Sequence, residues 1–172
     1  KDFREAVTLL TRRVEAVAFD LDGTLIESME AIAEAFNYMF AALGYPPMTI
    51  DEIIRKTGIS LIDFVKSFLK PEEAEQGIAI FRDYYDTIFL DRTTMFPGAI
   101  EMLERLQGHH KTGVVTNKRG RYARILADHL GFSEKMEFII GAEDGFKAKP
   151  HADMFIEFMK TVGVSEDETV YV

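Results

Sequence analysis

Four short apolar runs, three of them followed directly by polar or glycine-containing segments, constrain the fold of this chain most strongly. They are residues 14–19, 112–115, 138–140 and 169–172. Such runs are typical of buried strands, and amphipathic helical patterns lie between them. Alternating strands and helices form right-handed βαβ units. We therefore predict an α/β fold with a Rossmann-like parallel sheet that is covered on both faces.

The first connection between strands is too long for a single crossover helix. About ninety residues separate Thr24 from Thr112, whereas a crossover needs only a dozen or more. Helical periodicity recurs throughout this stretch. Candidate helix caps stand at Ser28, Thr49 and Ser60. We therefore predict an inserted α-helical bundle of about four helices.

Polar residues follow the predicted strands where a parallel sheet gathers its active site. Asp20 and Asp22 follow the first run, Thr116 and Asn117 follow the second, and Lys149 lies in the loop after the third. The carboxyl ends of parallel strands meet at one edge of the sheet. We therefore expect these five residues to converge, although the chain separates them widely.

Two carboxylates spaced i, i+2 beyond a strand end suit phosphoryl transfer. One carboxylate can attack phosphorus while its neighbour protonates the leaving oxygen and later activates water. Magnesium would bind carboxylate and phosphate oxygens and reduce the repulsion between nucleophile and substrate. The hydroxyl of Thr116 and the ammonium of Lys149 suit the remaining phosphoryl oxygens.

Each of these motifs also has an ordinary structural explanation. Residues 20–24 can form a simple strand-to-loop turn, and Thr116 with Asn117 can cap a helix. A lysine such as Lys149 is usually solvated. The common position of all three motifs, after successive predicted strands, favours the catalytic interpretation.

Composition excludes several other classes of function. The 172 residues include 29 acidic and 20 basic side chains, a formal net charge of −9, with no basic run, which argues against a nucleic-acid partner. There is no cysteine, so disulfides, thiolate catalysis and cysteine-bound zinc are excluded. No apolar run is long enough to span a bilayer, so we expect no membrane partner and a cytoplasmic location.

The motifs together resemble those of the haloacid dehalogenase superfamily, and the resemblance covers nearly the whole chain. Residues 19–25, Phe-Asp-Leu-Asp-Gly-Thr-Leu, are similar to its first motif, residues 114–118 to its second and residues 149–155 to its third. Within the superfamily, the chain most resembles the phosphoglycolate phosphatase-like group. The placement of the helical insertion and the Phe-Pro-Gly of residues 96–98 contribute to this narrower resemblance.

The resemblance implies a role for each matched residue. Asp20 is expected to be the nucleophile, Asp22 the general acid and base, Thr116 and Asn117 phosphate ligands, and Lys149 both a phosphate ligand and the charge-stabilising lysine. Asp20 and Asp22 are also the expected ligands of Mg²⁺. The implied activity is hydrolysis of a small phosphorylated metabolite through an aspartyl phosphate. A phosphosugar mutase, a pyrophosphatase and a catalytically inactive binding domain are the alternatives.

The resemblance also implies a division into domains. Residues 1–26 and 93–172 are expected to form the Rossmann-like catalytic core, which would lack its carboxyl-terminal part. Residues 27–92 are expected to form a helical cap. By this resemblance, the cap closes over the site and selects the substrate.

The fourth motif of the superfamily, a Gly-Asp followed by a further acid, would come directly after Val172. We therefore expect the natural protein to continue with an acidic ligand for magnesium. We also expect the fourth strand, which would carry this acid, to lie beside the first. Glu143 and Asp144 are weaker candidates for the same metal, because a solvated loop explains them as well.

Overall fold

A parallel sheet forms the centre of the molecule. The computed structural model describes residues 13–56 and 58–172, so residues 1–12 of the predicted core and Thr57 of the predicted cap lie outside the described residues. The described strands are β1 (Ala16–Phe19), β2 (Ile26–Glu27), β3 (Thr94–Met95), β4 (Lys111–Arg119), β5 (Phe138–Ala142) and β6 (Thr169–Tyr171). Four of them form a parallel sheet in the order β5-β4-β1-β6, and β2 pairs with β3 in an antiparallel ribbon. The predicted α/β fold is confirmed.

Helices cover both faces of the sheet and fill the long first connection. The described α-helices are α1 (Met29–Ala42), α2 (Ile50–Ile54), α3 (Leu61–Phe68), α4 (Ala74–Ile88), α5 (Ala99–Leu106), α6 (Gly120–His129) and α7 (Asp153–Val162). Short 3₁₀ turns precede α4, β5 and β6. Helices α1 to α4 all lie between β2 and β3. The antiparallel ribbon therefore takes the chain out to these helices and returns it beside its starting point.

Strand β1 divides its side chains between two apolar layers because successive side chains of a strand point to opposite faces. Ala16 and Ala18 face a cluster with Met154 and Phe158 of helix α7. Val17, with the other alternate residues of β1, belongs to the larger cluster on the opposite face. Fully buried strands of this kind are expected at the centre of a parallel sheet.

Two of the predicted helix caps are confirmed, and the third is confirmed in position but not in its hydrogen bond. Thr49 forms a capping box with Glu52, and the Ser60 side chain accepts a hydrogen bond from the backbone of Asp63. Ser28 precedes α1 as predicted, but its side chain makes no capping hydrogen bond. Its hydroxyl is used at the candidate site instead.

Strand β4 is longer than the run that predicted it, because its first part pairs with β1 and its pairing with β5 continues to Arg119. The strand continues through Thr116 and Asn117 to Arg119, with an irregularity in its pairing to β5 after Thr116. Helix α6 begins only at Gly120, with Arg119 as its N-cap residue. The alternative in which Thr116 and Asn117 cap this helix is therefore wrong.

The close packing of α7 on the sheet makes Gly113 a sensitive position. A Cβ atom at Gly113 would lie 2.6 Å from the backbone oxygen of Phe138 and 2.5 Å from the ring of Phe158. We expect Gly113→Ala to lower the free energy of unfolding by about 1–3 kcal/mol, because the strand backbone cannot move aside easily. Urea denaturation measures this change.

Gly77→Ala is a matched control for this prediction. The nearest atom to a Cβ at Gly77 is the flexible end of the Leu69 side chain, at 2.4 Å, and alanine favours the helix that contains this position. We expect a smaller loss of stability than in Gly113→Ala. An equal loss in the two variants would contradict the argument from backbone contact.

Candidate active site

The candidate residues lie together at the carboxyl ends of the parallel strands. Asp20 follows the last residue of β1, and Asp22 lies two residues further along. Thr116 and Asn117 lie in the second half of β4, and these four residues line a single pocket. Lys149, in the loop after β5, reaches the same place, since its Nζ lies 2.9 Å from Oδ1 of Asp20. The structure therefore brings the five predicted site residues together.

A tight turn after β1 places both aspartates at the pocket. The carbonyl of the fully buried Leu21 accepts hydrogen bonds from the backbone N–H groups of Thr24, Leu25 and Ile26. Gly23 has a φ of +81°, which glycine adopts without the steric cost paid by other residues. Leu21 thus anchors the loop in the core, while the acids on either side of it line the pocket.

One oxygen of Asp20 is held by two donors. Its Oδ1 accepts a hydrogen bond from the backbone N–H of Leu21 at 2.8 Å, and it is also the oxygen next to Lys149. Neither of these contacts involves Oδ2. The carboxylate is therefore oriented through one oxygen, and 28% of the side-chain surface of Asp20 is exposed.

Lys149 links the loop after β5 to strand β6. Its Nζ donates a hydrogen bond to the hydroxyl of Tyr171 at 2.6 Å and lies 5.2 Å from the centre of the Tyr171 ring. Burial raises the pKa of Tyr171, and the nearby negative charge of Asp20 raises it further. The phenol therefore stays neutral at physiological pH and can accept this hydrogen bond.

Asn117 uses its side chain to connect three segments. Its Nδ2 donates to the carbonyl of Gly58 at 2.5 Å and to that of Lys149 at 3.0 Å. Its Oδ1 accepts from the backbone N–H of Lys149 at 2.7 Å. The side-chain amide of Asn117 is thus hydrogen-bonded to backbone groups. In the predicted role of Asn117 as a phosphate ligand, its backbone N–H would make the contact.

Asp22 is held by two groups, one from a neighbouring segment of the chain and one from a distant strand. Its Oδ1 accepts hydrogen bonds from the Ser28 hydroxyl at 2.5 Å and from Nζ of Lys118 at 2.8 Å. Ser28 is fully buried at the start of α1, and it therefore ties this first helix of the insertion to Asp22. Oδ2 takes no part in these two hydrogen bonds.

Lys118 is a buried cation that is paired with Asp22. Only 5% of its side-chain surface is exposed, and its Nζ lies 5.1 Å from the centre of the Tyr85 ring on α4. Burial by itself lowers the pKa of Lys118, but the adjacent negative charge of Asp22 outweighs this effect and raises the pKa above its usual value. Lys118 therefore remains charged and compensates one of the two aspartates.

The pocket has a polar floor from the sheet and a largely apolar roof from the helical insertion. Its volume is about 100 Å³, below the range of roughly 300–1,000 Å³ that is common for drug-sized ligands. The residues of the insertion that line it are Ile32, Phe36, Gly58, Ile59, Leu61, Phe64, Phe81 and Tyr85. The arrangement favours a small ligand with one strongly polar end.

Four residues near the two aspartates were not among the predicted site residues. They are Ser28, Lys118, Arg119 and Tyr171. A period-two pattern could have indicated Lys118, because it lies two residues beyond Thr116 on the same strand. The sequence around Ser28 is typical of a helix cap, so it did not indicate the contact with Asp22. No residue near Tyr171 in the sequence indicates its contact with Lys149.

Glu143 and Asp144, the weaker metal candidates, are engaged by arginines. Glu143 forms ion pairs with Arg82 and Arg119. Asp144 receives both terminal nitrogens of Arg124, at 2.8 and 2.9 Å, and the backbone N–H of Gly141 at 2.9 Å. These contacts do not favour either residue as a metal ligand.

Across residues 13–56 and 58–172, no group of three or more His, Cys, Asp or Glu side chains is placed to hold a metal ion. The acidic groups that line the pocket are the two aspartates. The same part of the chain contains no helix that is both long and apolar enough to cross a bilayer.

Comparison with known sequences adds independent information. A family model described as haloacid dehalogenase-like hydrolase matches residues 17–172. A phosphoglycolate phosphatase of Chromobacterium violaceum is 32% identical over 170 residues, which cover 94% of this chain and 77% of that protein. Phosphoglycolate phosphatase 1 of Pseudomonas aeruginosa is 28% identical over 173 residues, which cover 94% of this chain and 63% of that protein. The chain thus spans only part of the length of these relatives.

Solved structures share the fold. A hydrolase of the haloacid dehalogenase-like family from Streptococcus pneumoniae superposes with a TM-score of 0.82 at 26% identity, covering 92% of this chain and 74% of that one. A protein described as a predicted phosphoglycolate phosphatase from Haemophilus somnus gives a TM-score of 0.83 at 21% identity, covering 94% of this chain and 77% of that one. At the lower identity, the likeness concerns the fold alone.

The ion pair of Asp144 and Arg124 makes stability depend on pH. Burial alone would raise the pKa of Asp144, but hydrogen bonds from Arg124 and from the backbone of Gly141 lower it overall. A lowered carboxyl pKa adds stability above the unfolded-state pKa of about 4, and this stability is lost as pH falls through the folded-state pKa. We expect Asp144→Asn to cost up to about 1 kcal/mol at pH 7 and progressively less below about pH 4.

Urea denaturation across this pH range measures the difference between wild type and Asp144→Asn. Asp128→Asn is a control, because Asp128 is an exposed aspartate on α6. A difference for Asp144→Asn that stays constant from pH 7 to pH 3 would contradict the assignment.

Proposed function

The chain belongs to the haloacid dehalogenase-like hydrolase family, and from this membership we propose that it is a magnesium-dependent phosphatase that hydrolyses a small phosphate monoester. The observation that carries the proposal is the paired arrangement of Asp20 with Lys149 and Asp22 with Lys118. It offers a carboxylate nucleophile, a second carboxylate and positive charge for an anionic substrate. The curated relatives named phosphoglycolate phosphatase support this class of activity.

In the proposed first step, Oδ2 of Asp20 attacks phosphorus and the bond from phosphorus to the alcohol oxygen breaks. Asp22 transfers a proton to the departing oxygen, so that a neutral alcohol and an aspartyl phosphate result. Oδ2 of Asp22 is the oxygen assigned to carry this proton, since Ser28 and Lys118 both bind Oδ1. Asp22 then removes a proton from water, which attacks phosphorus and releases phosphate from Asp20.

Three further residues assist in this scheme. Thr116 lines the pocket beside Asp20, and we assign its hydroxyl to a phosphoryl oxygen. Lys149 neutralises negative charge that develops during transfer. We propose that Asn117 positions Lys149 through the two hydrogen bonds between its side chain and the Lys149 backbone.

The donor atoms of the pocket fit magnesium. Mg²⁺ prefers oxygen ligands and is commonly bound through one or two carboxylates together with substrate phosphate. The Asp20 carboxylate and the backbone carbonyl of Asp22 are oxygen donors suited to the ion, and the described pocket lining contains no histidine or cysteine. These two aspartates would hold the ion. When bound, magnesium would lower the repulsion between an anionic nucleophile and an anionic ester.

We propose that residues 27–92 act as a cap that covers this site. The apolar side chains above the pocket would exclude water during transfer, and their shape would restrict the alcohol part of the substrate. The relatives named phosphoglycolate phosphatase make phosphoglycolate the first ester to test.

The central test is Asp20→Asn. The amide keeps the shape of the side chain but cannot act as an anionic nucleophile, so we expect phosphate release to fall to less than about one-thousandth of wild type. Release of inorganic phosphate from phosphoglycolate in magnesium measures activity, and thermal unfolding verifies the fold. Asp128→Asn should retain activity, and wild-type rates in Asp20→Asn would overturn the nucleophile assignment.

Removal of magnesium provides a separate prediction. Treatment with a chelator should abolish phosphate release, and added Mg²⁺ should restore it, because the two aspartates and the substrate repel each other without a cation. Unchanged turnover in excess chelator would exclude the metal. Isomerised sugar phosphate without free phosphate would instead identify a mutase, and turnover of pyrophosphate alone a pyrophosphatase. Binding without turnover would identify an inactive binding domain.

A further inference from the structure

Arg119 is a cationic residue of the pocket wall that the proposed chemistry does not use. It lines the same pocket as Asp20 and Thr116, and 35% of its side-chain surface is exposed. Among the described residues that line this pocket, Lys118 and Arg119 are the cations. Lys118 is already paired with Asp22, so Arg119 is the cation that remains for a ligand.

The guanidinium of Arg119 has hydrogen-bond donors to spare. Its closest approach to a carboxylate is between Nε and an oxygen of Glu143, at 3.1 Å. Within residues 13–56 and 58–172, it donates no hydrogen bond that would engage its terminal nitrogens. Arg124, only five residues away, provides the contrast, because both of its terminal nitrogens bind Asp144.

Charge around Arg119 is also unbalanced. Glu143 is shared between Arg119 and Arg82 of helix α4. Asp144, whose charge also acts on Arg119, is bound by Arg124. Three guanidinium groups thus face two carboxylates, and one positive charge is left over. Glu143 has a φ of +68°, an uncommon conformation for a residue other than glycine. Such conformations persist where the surroundings hold them and are frequent at functional sites. The carboxylate thus fixes Arg119 without neutralising the pair of arginines.

We propose that Arg119 is a specificity-determining residue that binds a second anionic group, carried on the alcohol part of the phosphate ester. This inference rests on the proposed phosphatase function. The rest of the described wall above the site is mostly apolar, so an anionic substituent on the alcohol finds its partner at Arg119. The planar fork of arginine matches a carboxylate or a phosphate through two parallel hydrogen bonds.

The test compares esters that differ in this substituent. Phosphoglycolate carries a carboxylate, ethylene glycol bisphosphate carries a second phosphate, and ethyl phosphate carries neither. For each enzyme, kcat/KM for an anionic ester is divided by kcat/KM for ethyl phosphate. We expect Arg119→Gln to lower this ratio at least about tenfold for one anionic ester or both. The ester whose ratio falls shows whether Arg119 binds a carboxylate or a phosphate.

The ratio is measured on one preparation, so a partly folded variant still gives a valid result. Arg119→Lys should fall between wild type and Arg119→Gln, since lysine retains the charge without the fork. Arg121→Gln is the matched control, because Arg121 is an exposed arginine that pairs with Asp86 and does not line the pocket. It should keep the wild-type ratio.

Binding separates this inference from the proposed function. Calorimetry with Asp20→Asn, alone and combined with Arg119→Gln, compares the affinities for the same three esters without turnover. A selective loss of affinity for an anionic ester supports the role of Arg119 even if no ester is hydrolysed. Equal ratios and equal affinities with and without Arg119 would overturn it.

Discussion

Strand β1 pairs with a parallel strand on each side, and this pairing positions Asp20 relative to Thr116 and Tyr171 on the neighbouring strands. It hydrogen-bonds in register with β4 and with β6. The backbone N–H of Asp20 continues the ladder by donating to the carbonyl of Val172. This pairing fixes where Asp20 leaves the sheet. It also places Thr116 of β4 and Tyr171 of β6 on either side of Asp20. Ala16 and Ala18 are fully buried on one face, which lets helix α7 pack closely there.

Charge compensation is the second requirement that the structure meets. The chain carries a formal net charge of −9, and in the proposed function an anionic ester would approach two aspartates. Each aspartate has its own ammonium partner, Lys149 for Asp20 and Lys118 for Asp22. The pairs are only partly exposed, so solvent and salt screen them less than surface ion pairs. Local positive charge therefore offsets the acidity of the whole chain where the ester would bind.

The helical insertion is connected to the site by specific polar contacts as well as by apolar packing. Ser28, at the start of α1, binds Asp22, and the Gly58 carbonyl binds Asn117. The Tyr85 ring lies over Lys118. A displacement of these helices would therefore disturb both carboxylate environments. In this way the covering of the pocket and the orientation of its acids are coupled through short hydrogen bonds.

The local pattern of the sequence was sufficient to predict the α/β fold, the parallel sheet and the helical composition of the insertion. Apolar periodicity, the turn at Gly23 and the capping box at Thr49 depend on residues that are close along the chain. The predicted site residues lie at the carboxyl ends of parallel strands, and the geometry of such sheets brings these ends to one edge.

Tertiary structure alone decided how those residues are paired. Lys118 meets Asp22 across 96 positions of the chain, and Arg82 meets Glu143 across 61. Ser28 had a local role available as a helix cap, but its hydroxyl binds Asp22 instead. Local periodicity indicates which face of a helix or strand a side chain occupies. The partner of a charged side chain depends instead on which distant segments pack against it and exclude water. The sequence therefore determined where the acids lie, and the packing of distant segments determined which cations compensate them.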